Sequence, residues 1–143
     1  MNIFDTSFTD SSRRALALVR IILGLLLIYH GQEVFRPEIM STYLEWDMFK
    51  VPAGKFMVYM GKSAELIAGI LLTAGFLTRP AAMLVIGNFL YITFFVGEGR
   101  FWYQDQHPFM FALFGLLFLF TGAGAWSVDG MISKRNGDPG AVL

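Results

Sequence analysis

The sequence predicts an all-α integral membrane protein, a four-helix bundle with a short interfacial helix between its first and second spans. Three observations predict it. Of 143 residues, 55% are hydrophobic and 15% charged, far from the balance of soluble domains. Four apolar stretches approach the roughly 20 residues that cross a bilayer core as helix. The segments between them are polar or carry turn residues.

The first fourteen residues, MNIFDTSFTDSSRR, are polar and lead into a full-length apolar span. They lack the apolar core and cleavage site of a secretory signal, so the first helix is expected to be retained. That span covers 16–35. Residues 36–52 are too charged to cross, yet Ile39, Met40, Tyr43, Leu44 and Trp46 recur at helical spacing, which predicts the interfacial helix. The second span covers 55–77. Thr78, Arg79 and Pro80 then form a tight turn, because proline suits the first turn of a helix and restricts the residue before it. The third span covers 80–96. A polar, aromatic loop follows, and Pro108 opens a fourth stretch, 108–126, before a polar glycine-containing tail.

An even number of crossings puts both termini on one side. Arg13, Arg14, Arg79, Lys134 and Arg135 gather there, with Arg20 just inside, whereas Arg36, Lys50, Lys55 and Arg100 opposite are mixed with Glu38, Glu45, Asp47, Glu98 and Asp105. This bias predicts cytoplasmic termini. Trp46, Phe49, Trp102 and Tyr103 fall at the predicted outer boundary and Trp126 at the inner one, where amphipathic rings prefer the headgroup region.

Several functions are excluded. Eleven basic residues balance eleven acidic ones, leaving no electrostatic footprint for nucleic acid. The absence of cysteine removes thiolate metal sites, iron–sulfur clusters and thiol relays from this chain. No Walker loop, HExxH pair, dinucleotide fingerprint or GxSxG elbow is present, and GAGAW at 122–126 lacks the context of a phosphate loop.

The candidate site comes from ionisable and polar groups inside the spans, which are costly in hydrocarbon and face the bundle interior. They are Arg20, His30, Lys62, Glu65 and the uncharged Asn88. At 100° per residue, Arg20, Gly24, Leu27 and Gly31 share one face of the first helix. Gly61, Glu65, Ala68, Gly69 and Leu72 share a stripe of the second, with Lys62 one turn from Glu65. Glu65 falls near mid-membrane and Arg20 about a turn inside the cytoplasmic edge. One reading is an ion network that fixes helix register. The other is a pocket in which Glu65 exchanges protons and the rest contact a polar headgroup. Asn88 is most simply an interhelical hydrogen bonder. Glu33 is expected to turn outward and be solvated. His30 and His107 share a leaflet and could ligate one haem b iron, but a histidine beside Pro108 at the water boundary is more often an interface residue. No other metal site is expected.

The pattern Arg20, Gly24 and Gly31 in RIILGLLLIYHG, and Glu65, Gly69 and Gly75 in ELIAGILLTAGFLTRPAAM followed by the Thr78–Arg79–Pro80 turn, resembles the DoxX family of small bacterial and archaeal membrane proteins. The likeness extends over nearly the whole chain, to Trp126 and Asp129. It implies association with membrane redox complexes: a related protein type is the membrane subunit of thiosulfate:quinone oxidoreductase. It also implies a bacterial inner-membrane location. The cysteine-dependent chemistry of disulfide-forming quinone reductases cannot be carried over. The expectation is therefore a subunit or accessory protein of a quinone-linked oxidoreductase, with other redox subunits or further copies of itself as partners. The alternatives are a structural interaction subunit, and a small-solute transporter, which the lack of an internal inverted repeat disfavours.

Overall fold

The computed structural model describes residues 10–135, and these form six α-helices and no strand. Helix α1 covers Asp10–Gly31, α2 Pro37–Leu44, α3 Gly54–Ala74, α4 Thr78–Tyr91, α5 Gln106–Thr121 and α6 Val128–Arg135. A 3-10 turn (Gln32–Phe35) extends α1, and a π-helical turn (Ile92–Val96) extends α4. The all-α membrane architecture is as expected. Residues 1–9, which hold most of the polar leader, and the last residues of the tail lie outside the described region.

Three spans are long and apolar enough to cross a bilayer: Asp10–Phe35, Gly54–Ala74 and Thr78–Val96. The fourth is shorter than expected. Helix α5 has 16 residues and rises about 24 Å at 1.5 Å per residue. It stops at Thr121 rather than 126 because Gly122 and Gly124 take φ of 71° and 67°, which end a right-handed helix. The chain turns there, and the expected tail instead forms α6.

Helix α3 ends on Gly75, whose φ of 65° closes the helix in the left-handed conformation. Leu77 also has a positive φ, 47°, which costs a residue with a side chain. Asp129 at the start of α6 supports it: its two carboxylate oxygens accept the Leu77 and Thr78 backbone N–H groups at 2.9 and 3.0 Å. The α3–α4 turn is therefore capped from the far end of the chain, and Ala125 N–H donates to Arg13 O beside it. Both ends of the described chain thus lie at one end of the bundle.

Sequential spans pack antiparallel. Helices α1 and α3 meet backbone to backbone, with Gly24 against Thr73 and Gly69, and Gly31 against Leu66. A Cβ on Gly69 would come within 2.7 Å of the Ile28 nitrogen, a contact that only a small residue permits. Arg20, Gly24, Leu27 and Gly31 are buried along this seam. Phe89 stacks on Phe111 between α4 and α5 at 4.7 Å, and Leu18, Ile22 and Leu25 face outward as lipid-contacting side chains. Helix α2 folds back over the start of α3, burying Met40 with Phe49 and Val58. Phe49, expected at the headgroup boundary, is thus a core residue under α2, whereas Trp46, Trp102 and Tyr103 are exposed.

Candidate site between helices 3 and 4

Lys62 and Glu65 lie one turn apart on α3, so both project toward the same groove. Lys62 Nζ is 3.2 Å from Glu65 Oε2. The other Glu65 oxygen, Oε1, accepts the Asn88 amide from α4 at 3.3 Å. Asn88 is therefore an interhelical hydrogen bonder whose partner is the site carboxylate. Glu65 is buried, with 5% of its surface exposed.

Glu33 is a correction. Sequence geometry put it in solvent, but Lys62 Nζ lies 2.9 Å from its Oε2, and Tyr43 OH donates to the same oxygen at 2.7 Å. The cause is the 3-10 turn after Gly31, which rotates successive residues by about 120° instead of 100°, together with α2, which brings Tyr43 over the site. Burial, and then the bond to Glu33, hold the Tyr43 phenol above its ordinary ionisation range, so it remains a donor. Its ring centroid stands 5.0 Å from Lys62 Nζ, within cation–π range.

The result is a chain, Tyr43–Glu33–Lys62–Glu65–Asn88, drawn from four elements. Two carboxylates share one ammonium, so the fully ionised cluster carries one uncompensated negative charge. A proton or a hydrogen-bond donor supplied by a ligand can balance it.

Against this chain lies a cavity of about 640 Å³, within the size range of small-molecule sites. Lys62, Glu65 and Asn88 form its polar floor, while His30, His107 and Phe111 line one wall. Tyr43, Trp46 and Phe49, in contact through their rings, also line it, as do Met60 and Ala64 of α3 and Met83, Leu84 and Gly87 of α4. Ile92 and Val96 of the π-helical turn also reach it; such turns widen a helix locally and recur at functional sites. The His30 and His107 ring centroids are 6.2 Å apart, and the Phe111 ring contacts both edge-on. Among the described residues no group of three or more His, Cys, Asp or Glu is placed to hold a metal ion.

Four of the five residues singled out in the sequence thus meet at the cavity: His30, Lys62, Glu65 and Asn88. Arg20 does not. It is fully buried near the other end of α1, where its guanidinium donates to the carbonyls of Leu72, Thr73, Ala125 and Trp126 at 2.5–3.3 Å. Tyr43 and Gly87 were missed. Tyr43 reads as one more apolar position of α2, and a glycine in an apolar span carries no chemical signal.

The family model for DoxX matches residues 15–98. The chain belongs to the DoxX family. The matched region contains Arg20 and the whole Tyr43–Glu33–Lys62–Glu65–Asn88 chain, whereas His107 and Asp129 lie beyond it. Similar proteins include an uncharacterized protein of Haemophilus influenzae, 28% identical over 131 residues, covering 84% of this chain and 92% of that one. An uncharacterized membrane protein of Mycobacterium tuberculosis is 27% identical over 135 residues, covering 82% and 80%. No solved structure matches this DoxX chain.

Proposed function

We propose that this DoxX chain is the membrane subunit or accessory protein of a quinone-linked redox complex, and that the cavity between α3 and α4 receives the quinone headgroup. The observation that carries the reading is a buried carboxylate, near the middle of its span and hydrogen-bonded at both oxygens, lining a largely apolar cavity. A few convergent polar groups in an apolar cleft are what a flat, largely hydrophobic headgroup requires.

A bound quinone supplies a two-electron, two-proton couple between carbonyl and hydroxyl forms. The chain supplies position and protons. Glu65 would give or take a proton, Lys62 and His30 would hold the headgroup oxygens, and Asn88 fixes the rotamer of Glu65 through its bond to Oε1. Lys62 also links Glu65 to Glu33 and Tyr43 under α2, which gives a proton a route toward that end of the bundle. With no cysteine in the sequence for a thiol relay, the electrons come from a partner subunit. The charge bias of the loops supports an inner-membrane orientation with both termini cytoplasmic. The exposed Trp102 and Tyr103 then offer an outer face for a partner or a second copy. Arg20 has no part in headgroup contact, and neither histidine is assigned to iron.

The test is mass spectrometry of organic extracts from gently purified protein, wild type against Glu65→Gln. Quinone near equimolar with the wild-type chain and depleted in the variant is the expected result. Empty protein in both cases favours a structural interaction subunit instead.

A further inference from the structure

Glycine weakens a helix interior because it gains no side-chain contacts and loses the most backbone freedom on folding. The glycines at the helix contacts of this bundle have a visible reason. Gly24, Gly31 and Gly69 let α1 and α3 touch, Gly115 lies against Ala82 and Ile86, and even at the looser Gly61 a Cβ would come within 3.3 Å of the Asn88 amide oxygen. Gly87 has none. A Cβ placed on it would meet nothing within 4 Å, its backbone is ordinary right-handed helix, and it is exposed.

Its position supplies what packing does not. Gly87 is at the centre of the span Thr78–Val96, precedes the residue that holds Glu65, and lines the same cavity. On α4, Met83 and Leu84 line the cavity one turn before it; on α3, Met60 and Ala64 do so opposite. Met60 and Met83 are 55% and 56% exposed. Each lies four residues from the centre of its span, about 6 Å at 1.5 Å per residue and so still within the hydrocarbon; exposed apolar side chains there face acyl chains, so the cavity opens toward the bilayer interior and not water. Methionine is the side chain best suited to flank a passage whose contents bend, because it is unbranched and adaptable.

We infer that the α3–α4 cleft is a lateral portal, and that Gly87 is the notch through which the apolar tail of a single-chain amphiphile leaves for the lipid while its head occupies the Glu65 floor. The inference rests on the headgroup reading above and adds to it a ligand class, a tailed isoprenoid lipid, and a residue that selects for the tail.

The experiment is equilibrium binding of two probes to the full chain in lipid nanodiscs: a benzoquinone bearing one isoprene unit and the same headgroup bearing a full-length isoprenoid tail. Circular dichroism checks that Gly87→Leu, whose side chain enters open space, folds as wild type. Gly87→Leu should weaken the long-tailed probe by at least about tenfold, as a filled passage excludes its occupant, while the short probe stays within about twofold. Gly87→Ala should lie between. Equal loss of both probes, or no loss of either, overturns the portal while leaving the headgroup site intact, as does a changed oligomeric state by light scattering with binding preserved, which makes Gly87 a contact between copies. Failure of wild type to bind either probe overturns the headgroup reading and the portal with it.

Discussion

Arg20 and Glu65 are both ionisable groups buried inside membrane spans, and their surroundings differ in kind. Four backbone carbonyls from the α3 C-terminus and the segment after α5 accept from the Arg20 guanidinium, and Gly75 presses against it so closely that a Cβ there would collide with the guanidinium. The main chain is fixed and the space is closed, so the charge acts as a clamp joining α1, the α3–α4 turn and the chain entering α6. Glu65 is held by side chains, Lys62 and Asn88, and borders a cavity. Side chains can rearrange around a ligand or a proton where backbone carbonyls cannot. Burial alone therefore does not separate the two; the partners and the adjoining space do.

The largest expected effect tests the clamp. Arg20→Met removes four hydrogen bonds and a buried charge, and should lower unfolding stability by about 3–5 kcal/mol, the usual result of breaking a buried polar network from one side. Reversible unfolding in mixed micelles measures it. Gly24→Val should cost about 1–3 kcal/mol by forcing α1 off α3, and cross-linking between the two helices would report their separation. Asp129→Ala removes the cap on Leu77 and Thr78 and should cost about 1 kcal/mol with headgroup binding unchanged. If Asp129→Ala abolished binding, the two regions would be coupled and the comparison would fail.

The smallest effect concerns Tyr43. Burial and its bond to Glu33 raise its ionisation above the ordinary value of 10, so the folded state favours the neutral phenol. The stabilisation is complete below pH 10 and is lost as pH rises through the higher folded-state value. Tyr43→Phe should remove that alkaline loss, and tyrosinate absorbance titration of wild type should show one late-titrating phenol absent from the variant.

Much of this arrangement was legible in the sequence, because α-helical periodicity is regular. The buried Arg20–Gly24–Leu27–Gly31 face, the Glu65 stripe and the Lys62–Glu65 pair follow from 100° per residue. What escaped lay where that regularity breaks. Glu33 follows a switch to 3-10 geometry, so extrapolating the helix aimed it outward. The end of α5 was hidden by an apolar composition that continues past Gly122. Arg20 was grouped with Glu65 because both are ionisable residues inside spans, but it contacts backbone carbonyls, which a side-chain pattern does not display. Gly87 becomes meaningful only once the space beside it is known to be open.

The central claim is that Glu65 serves a ligand whereas Arg20 serves the fold. The most direct measurement is the thermal midpoint of purified Glu65→Gln with and without added quinone, beside wild type and Asp129→Ala. Unliganded Glu65→Gln should melt close to wild type and gain nothing from quinone, while Asp129→Ala should start lower and gain the full wild-type increment. A Glu65→Gln protein that melts far below wild type yet keeps its quinone-induced increment would contradict the claim, and would make Glu65 a second clamp.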